Sequence, residues 1–286
     1  MVKYTTGMSS LSGAMLPCRR LPFFYGPAAE MLAGAEALLE GATASGRATI
    51  RWYVTSDRAM ILGASQKITA LDAEACRARG VTVLQRGAGG ASVLADADML
   101  GLDIALPRDH PLLLSDLTAS YRWIGEAWLW ALRGLGVDAA LVGVEEARAA
   151  ARDESPSARL ARLACFGGLS PYEVAVCGRK VVGLAQVRRR HGALFQIGVQ
   201  LRWDAPLVAA LLSIDDAERP ALVAALDDRV AGLHKVAPRP IACGELVDAF
   251  EGAIAAHGLA LADGVWADGE RATVIRLLES RYRPLL

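Results

Sequence analysis

A glycine-rich segment between two predicted strands is the first candidate for chemistry. The sequence QRGAGGASVLAD at 85–96 places Gly87, Gly89 and Gly90 directly after Arg86. Glycines allow backbone amides to approach an anion closely, as they do in phosphate-binding turns. The segment has neither the Gly-Lys-Ser/Thr ending of a P-loop nor the Gly-x-Gly-x-x-Gly spacing of a dinucleotide site. It therefore predicts a turn whose backbone a ligand can approach closely, next to one arginine. The turn alone does not identify this ligand.

Lys180 is the second candidate. The sequence GRKVVGLAQ at 178–186 predicts a strand that begins just after a tight turn at Gly178-Arg179. Gly183 and Ala185 share one face of this strand, and their small size leaves room for a ligand or another backbone. Lys180 belongs to the opposite face of the predicted strand, although the geometry of the turn can redirect its side chain. A solvated hairpin lysine is the simpler interpretation, and a functional cation is the alternative.

Cys165 is the third candidate, because it precedes Phe166-Gly167-Gly168 at a predicted junction between a loop and a strand. A cysteine there is accessible enough to act as a nucleophile. The alternative is a small buried hydrophobic residue, which is how free cysteines usually behave. Cys76 and Cys177 follow helix and strand patterns and are predicted to pack. No histidine is near Cys165 in the sequence, and Lys180 is the nearest cationic candidate.

Composition limits the remaining possibilities. The 286 residues are 53% hydrophobic and 22% charged, which predicts a globular protein with a substantial core. Lys+Arg and Asp+Glu both total 31, so zero net charge disfavours nucleic acid as the main partner. Five scattered cysteines without a CxxC pair indicate a reducing cytoplasm. His191 and His234 are isolated in the sequence, so no metal site is predicted. No apolar run is long enough for a membrane helix, and we expect no secretory signal.

The elements that must position these residues mix strands and helices. We expect a loose leader over 1–20, a catalytic core over 21–205, and a helical C-terminal extension of the same domain over 206–286. Hairpins outnumber βαβ units, which favours an α+β fold with a mixed, mainly antiparallel sheet and flanking helices. We expect the glycine-rich turn and the lysine hairpin on one sheet, with helices packed on one side. The further predictions are a half-buried strand at 100–107, a helix at 115–136 and an exposed loop or frayed helix at 147–164.

Two blocks of the sequence resemble the lipoate–protein ligase and octanoyltransferase family, whose relatives include the biotin–protein ligases. The segment 86–93, with Asp96, is similar to the family's Arg-x-Ser-Gly-Gly-Gly turn and the His-Asp pair that follows it. The more specific block at 178–188 is similar to its Gly-Lys-Lys-x-x-Gly-x-Ala-Gln-x-Arg strand. Segments 50–53 and 62–66 also match the family's entry strands, and the resemblance extends from about Pro27 to Tyr282.

The resemblance implies a fold like that of the biotin and lipoyl protein ligases and a role for each matching residue. In this family the lysine polarises an acyl carbonyl, so Lys180 would stabilise the oxyanion that forms when a nucleophile attacks. The arginine and the glycine-rich turn flank the acyl chain, and a phosphate where an acyl-adenylate forms. The implied substrate-binding residues are Arg86, Ala88, Gly89, Gly90, Ala91, Gly183, Ala185 and Gln186.

Several positions depart from the family pattern. Ala88, Ala91, Ala95 and Ile197 stand where the family has serine, glycine, histidine and histidine, so a phosphate would have fewer partners. The surroundings of Cys165 and Tyr172-Glu173 instead resemble the cysteine-dependent octanoyltransferases and amidotransferases. In those enzymes the corresponding cysteine carries the acyl group as a thioester. The resemblance therefore implies that Cys165 and Lys180 are the catalytic residues.

The resemblance leaves three alternative functions open. The first is transfer of an octanoyl or lipoyl group between carrier proteins through Cys165, with no cofactor. The second is ATP- and Mg²⁺-dependent lipoate ligation, in which Cys165 is incidental. The third is a non-catalytic acyl-carrier-binding role, which the substitutions at 88, 95 and 197 favour and which retention of Lys180 and Cys165 together disfavours. The implied partner is an acyl carrier protein or a lipoyl carrier domain, like that of glycine-cleavage H protein or a dehydrogenase E2.

Overall fold

The computed structural model describes residues 15–286, which form two β-sheets and the helices around them. The strands are β1 (Leu16–Arg20), β2 (Phe24–Gly26), β3 (Ala48–Thr55), β4 (Ala59–Leu62), β5 (Thr82–Gln85), β6 (Val93–Ala95), β7 (Met99–Pro107), β8 (Ala139–Leu141), β9 (Val174–Val176), β10 (Arg179–Arg189), β11 (Gly192–Gln200) and β12 (Leu259–Asp263). The α-helices are α1 (Ala28–Ser45), α2 (Ala73–Ala78), α3 (Arg122–Gly134), α4 (Val144–Arg152), α5 (Pro156–Ala161), α6 (Ala205–Leu211), α7 (Arg219–Asp227), α8 (Leu233–Val236), α9 (Cys243–Ala256) and α10 (Asp268–Ser280).

The larger sheet has nine strands in the order β12-β1-β3-β7-β11-β10-β9-β8, and β2 also pairs with β3. The neighbours from β3 to β8 are all antiparallel, because hairpins and a meander build this part of the sheet. Strands β12, β1 and β2 join by parallel pairing at the other end. The predicted α+β fold with a mixed, mainly antiparallel sheet is confirmed.

Helices cover both faces of this sheet, so the expectation of helices on one side is wrong. On one face, α3 and α9 bring Trp128 and Phe250 against Trp52 of β3, with edge-on ring centroids 5.9 and 5.6 Å from Trp52. On the other face, α1 packs Leu38 and Leu39 against β7, β10 and β11. Strand β7 is consequently buried on both faces and not half-buried as predicted.

The glycine-rich turn belongs to the smaller sheet, whose strand order is β5-β4-β6, whereas the lysine hairpin belongs to the larger sheet. The expectation that both lie on one sheet is therefore wrong. The turn folds back onto the end of β4, where the Ala64 amide donates to the Ala88 carbonyl at 2.8 Å. A Cβ atom on Gly63 would lie 1.9 Å from the Gly90 carbonyl oxygen, so only glycine permits this approach.

Both predicted end segments differ from the structure. Residues 16–20 of the predicted leader form β1, which pairs with β3 and β12; residues 1–14 lie outside the described part. The predicted helical extension over 206–286 contains β12, so it contributes a strand to the main sheet as well as helices. The segment 147–164, predicted as a loop or frayed helix, forms most of α4 and all of α5. Within residues 15–286, no helix is long and apolar enough to span a bilayer.

Candidate active site

Three rows of residues cross strands β3, β7, β11 and β10 on the face covered by α1. Each row consists of direct cross-strand neighbours, which the antiparallel register aligns. The glycine row is Tyr53, Gly101, Gly198 and Gly183; the polar row is Arg51, Asp103, Gln196 and Ala185; the apolar row is Thr49, Ala105, Leu194 and Val187. These three rows form the floor of the candidate site, and the glycine-rich turn and the Cys165 turn lie over it.

Two cavities lie over this floor and meet at the polar row. The narrow cavity, of about 80 Å³, lies over the glycine row and is also lined by Cys165 and Lys180. The wide cavity, of about 500 Å³, lies over the apolar row, between α1 and the glycine-rich turn. Both are lined by Leu32, Arg86 and Gln196, so these three residues mark the junction between them.

Cys165 begins a short 3₁₀ turn, Cys165–Gly167, that follows α5. The turn is tight, because a Cβ atom on Gly167 would lie 1.9 Å from the carbonyl oxygen of Ala161. The Cys165 amide donates to the Ser92 carbonyl at 2.9 Å, which ties the cysteine to the segment after the glycine-rich turn. Cys165 is partly exposed and faces the narrow cavity, as a nucleophile must.

Arg86 connects the glycine-rich turn to the cysteine. Its Nη2 atom donates to the carbonyls of Gly89 and Ala91, both at 2.9 Å, and lies 3.8 Å from the Cys165 sulfur. The side chain is only 6% exposed, so its charge acts in a largely dry site. The turn therefore presents two carbonyl oxygens to its own arginine, and the guanidinium faces the thiol.

Lys180 reaches the same cavity because of a β-bulge. The register between β9 and β10 shifts between Lys180 and Val182, so one extra residue reverses the side on which Lys180 emerges. The side chain is 2% exposed, and its Nζ atom contacts the carbonyls of Gly168 at 2.5 Å and Cys165 at 3.4 Å. The interpretation as a solvated hairpin lysine is therefore wrong.

Glu173 holds Lys180 in place, a role that sequence analysis did not predict for it. Its carboxylate accepts from Lys180 Nζ at 3.1 and 3.2 Å and from the amides of Ser170 and Leu184. Burial raises the pKa of Glu173, while the nearby ammonium of Lys180 and these hydrogen bonds act against the rise. The available signals were the resemblance at Tyr172-Glu173 and an acidic residue seven positions before the lysine, but neither indicated contact across the strand and turn that separate the two residues.

Phe166 covers the glycine row. A Cβ atom on Gly183 or Gly198 would lie 3.1 or 3.3 Å from the Phe166 ring, so both glycines provide the space for this ring. The Lys180 ammonium also lies 5.1 Å from the centre of the ring. The close approach predicted at Gly183 is therefore made by an aromatic side chain of the cysteine turn.

Of the remaining predicted site residues, two line a cavity and others shape the glycine-rich turn. Ala88 lines the wide cavity and Ala185 the narrow one, while Gly89 and Ala91 contact Arg86 through their carbonyls. Gly90 has a φ of +94°, which favours glycine and shapes the turn.

Gln186 and Cys177 lie away from the cavities. Gln186 is paired with Phe195, whose side chain packs on the opposite face of the sheet, so the structure does not bring Gln186 to the site. Cys177, predicted to pack in a strand, is an exposed residue of the turn between β9 and β10. That turn is centred on Cys177 and Gly178, both with positive φ, and not on Gly178-Arg179.

Comparison with known proteins shows the family to which the chain belongs. The family model of the lipoyl protein ligase A/B catalytic domain matches residues 27–255. The octanoyltransferase LipM of Symbiobacterium thermophilum is 32% identical over 82% of this chain and 84% of its own length. That of Moorella thermoacetica is 33% identical over 68% of this chain and 69% of its own length.

Solved structures show the fold. The bipartite lipoate protein ligase of Thermoplasma acidophilum superposes with a TM-score of 0.74 at 20% identity, covering 93% of this chain and 94% of that one. A lipoate-protein ligase A bound with ATP gives a TM-score of 0.72 at 19% identity, covering 92% and 95% of the two chains. With its cysteine, lysine and arginine gathered over one sheet, the chain belongs to the lipoyl protein ligase A/B catalytic domain family.

Proposed function

We propose that the protein is an acyltransferase that moves an octanoyl or lipoyl group onto the lysine of a lipoyl domain through a thioester on Cys165. The observation that carries this proposal is the convergence of Arg86, Cys165 and Lys180 on the narrow cavity. The LipM octanoyltransferases, which are about as long as this chain and 29–33% identical to it, support the same reaction class.

In the first step, the Cys165 thiolate attacks the carbonyl carbon of a thioester donor. The new carbon–sulfur bond forms as the carbonyl becomes an oxyanion, and the donor thiolate then leaves and takes up a proton. The Arg86 guanidinium, 3.8 Å from the sulfur, is a favourable neighbour for a thiolate.

Lys180 is suited to stabilise the oxyanion. Its bonds to Gly168 and Glu173 fix the ammonium, whereas its contact with the Cys165 carbonyl is the longest at 3.4 Å. The N–H group that makes this long contact is directed toward residue 165, so it can instead donate a hydrogen bond to the acyl oxygen when the thioester forms. An ammonium held in advance costs no reorganisation during the reaction.

In the second step, the neutral amine of the acceptor lysine attacks the acyl carbon. The carbon–nitrogen bond forms, the carbon–sulfur bond breaks, the Cys165 thiolate is regenerated and the amine loses a proton to solvent. The narrow cavity supplies apolar walls for the alkyl chain, including Met31, Tyr53, Ile61 and Met99. Each methylene removed from water contributes about 0.8 kcal/mol to binding.

The test is mass spectrometry of the protein incubated with an octanoylated acyl carrier protein and then with an apo lipoyl domain, with ATP omitted. We expect an octanoyl adduct on Cys165 that hydroxylamine removes, followed by octanoylation of the domain. Cys177→Ser is the matched control, because Cys177 is more exposed but lies in a turn outside the two cavities. A Cys165→Ser protein that acylates the domain only from free acid and ATP would instead establish a ligase.

A further inference from the structure

The polar row places a buried ion pair between two rows in which most residues are apolar or glycine. Arg51 and Asp103 are 1% and 0% exposed, and Arg51 Nη2 donates to Asp103 Oδ2 at 2.5 Å. The next residue in the row is Gln196, the direct cross-strand neighbour of Asp103. The row therefore runs from a buried ion pair to a glutamine that borders both cavities.

Asp103 can orient the Gln196 amide. Both hydrogen bonds from Arg51 to Asp103 go to Oδ2, and Oδ1 is buried without a partner at standard hydrogen-bond geometry within residues 15–286. Burial raises the pKa of Asp103, and the Gln196 amide acts with Arg51 against this rise, as a donor to the carboxylate would. A carboxylate only accepts hydrogen bonds, so the neighbouring Asp103 favours the amide orientation in which Nε2 is turned toward it. In that orientation Oε1 is the atom of the amide left to accept a hydrogen bond from a group in the cavities that Gln196 borders.

The wide cavity fits the side chain of a lysine. Its floor and the α1 wall carry Val187, Leu194, Leu32, Ala35 and Leu39, and its inner end carries Gln196 and Arg86. Lysine buries its methylene stem along apolar surface and keeps its amine among polar groups. An alkyl chain that extended from the narrow cavity into the wide one would have to pass both polar groups and remove them from water without offering a hydrogen bond, which is costly.

The inner end of the wide cavity is also next to the nucleophile. Arg86 lines both cavities and its Nη2 atom lies 3.8 Å from the Cys165 sulfur. A group that reaches Gln196 through the wide cavity therefore enters the narrow cavity of Cys165 at its Arg86 and Gln196 end, whereas Lys180 and Glu173 line only the narrow cavity.

We propose that Gln196 is a positioning residue for the acceptor lysine, which enters through the wide cavity. Its Oε1 atom accepts an N–H bond from the neutral amine and leaves the nitrogen lone pair free to attack the acyl carbon. This inference rests on the thioester route proposed above and concerns only its second step. Asp103 and Arg51 act through Gln196 by fixing the direction of its amide.

The experiment compares two nucleophiles on the same acyl-enzyme. Wild type and Gln196→Met are loaded with octanoyl on Cys165, and release is followed by rapid-quench mass spectrometry with an apo lipoyl domain or with hydroxylamine. We expect equal loading and equal release to hydroxylamine, and about tenfold slower transfer to the domain, as the loss of one ordinary hydrogen bond implies. Gln200→Met is the control, since Gln200 is a buried glutamine of the same strand outside both cavities.

Two results would overturn the inference: normal transfer to the domain by Gln196→Met, or equal slowing with both nucleophiles. If Gln196→Met does not fold, Gln196→Asn keeps the amide but withdraws it by one methylene, and it must show the same selective loss. If wild type never carries octanoyl on Cys165, the proposed function itself fails, and the loading step reveals this before any variant is compared.

Discussion

Lys180 and Glu173 form an ion pair, 3.1 Å between Nζ and Oε2, in which the side chains are only 2% and 4% exposed. A pair this deeply buried differs from an exposed one, because removing either partner leaves an unpaired charge in a dry site. The pair therefore links the stability of the protein to the residue proposed to polarise the acyl carbonyl.

Lys180→Met is expected to lose both activity and stability. The loss of an oxyanion contact lowers the rate of transfer about 10²–10³-fold. The unpaired Glu173 carboxylate costs about 3–5 kcal/mol in the free energy of unfolding. Denaturant unfolding and transfer assays test the two effects separately. Lys180→Met/Glu173→Gln is the matched double variant: it should regain most of the stability and none of the activity, and recovered transfer would show that Lys180 is not catalytic.

Glu173 is expected to make stability depend on pH. Burial raises its pKa above the ordinary value of 4.5, so the folded state holds this proton to a higher pH than the unfolded state does. Its favourable contribution is therefore present below about pH 4.5 and is lost as pH rises through the raised value. The free energy of unfolding of wild type minus that of Glu173→Gln should fall over this range in denaturant titrations. A difference that is flat or rises with pH contradicts this assignment.

Gly183→Ala is expected to narrow the acyl cavity while preserving the sheet. The added Cβ atom would lie 3.1 Å from the Phe166 ring, which must give way by a few tenths of an ångström. We expect kcat/KM to fall more for octanoyl than for hexanoyl donors, measured with the same carrier. Gly101→Ala is the contrasting variant, because its Cβ atom would lie 2.0 Å from the Tyr53 ring and should destabilise the fold. Equal losses for both donors with Gly183→Ala would argue against an acyl chain over the glycine row.

Arg86→Met is expected to slow the acylation of Cys165. The variant removes the cation beside the sulfur and leaves the carbonyls of Gly89 and Ala91 without their donor. Alkylation by iodoacetamide, followed at each cysteine by mass spectrometry, should slow at Cys165 and stay unchanged at exposed Cys177. Arg86→Lys keeps the charge but not the forked geometry, so it should give an intermediate rate. Unchanged alkylation of Cys165 in Arg86→Met would remove the arginine from thiol activation.

The sequence predicted the fold class and identified residues that the structure brings together, but it did not reveal how distant strands pair. Local motifs carry Arg86, Cys165 and Lys180, and the structure brings all three to one cavity. The bulge that redirects Lys180 depends on how β10 pairs with β9, and no single strand reveals that register. Arg51, Asp103 and Gln196 of the polar row were missed for the same reason, since they come from three separate strands. The parallel pairing of β1 with β12 joins segments more than 230 residues apart, which no local pattern can indicate.

The C-terminal tail is expected to stabilise the wide cavity and the smaller sheet. The Tyr282 hydroxyl donates to the Glu36 carboxylate of α1, and the Leu285 amide donates to the Val83 carbonyl of β5 at 2.8 Å. Tyr282 is 3% exposed and lines the wide cavity, so its loss leaves a hole between α1 and α10. Deletion of residues 282–286 should lower the free energy of unfolding by about 3 kcal/mol.

Hydrogen exchange locates this effect within the deletion variant. Amides of β5 should exchange faster, since the tail holds that strand, whereas amides of β10 and β11 in the main sheet should keep their protection. Tyr282→Phe is the matched variant: it keeps the ring and loses only the bond to Glu36, so its cost should be about 1 kcal/mol with no change in β5 exchange. Uniformly faster exchange across both sheets would mean that the tail stabilises the whole domain and has no specific role at the smaller sheet.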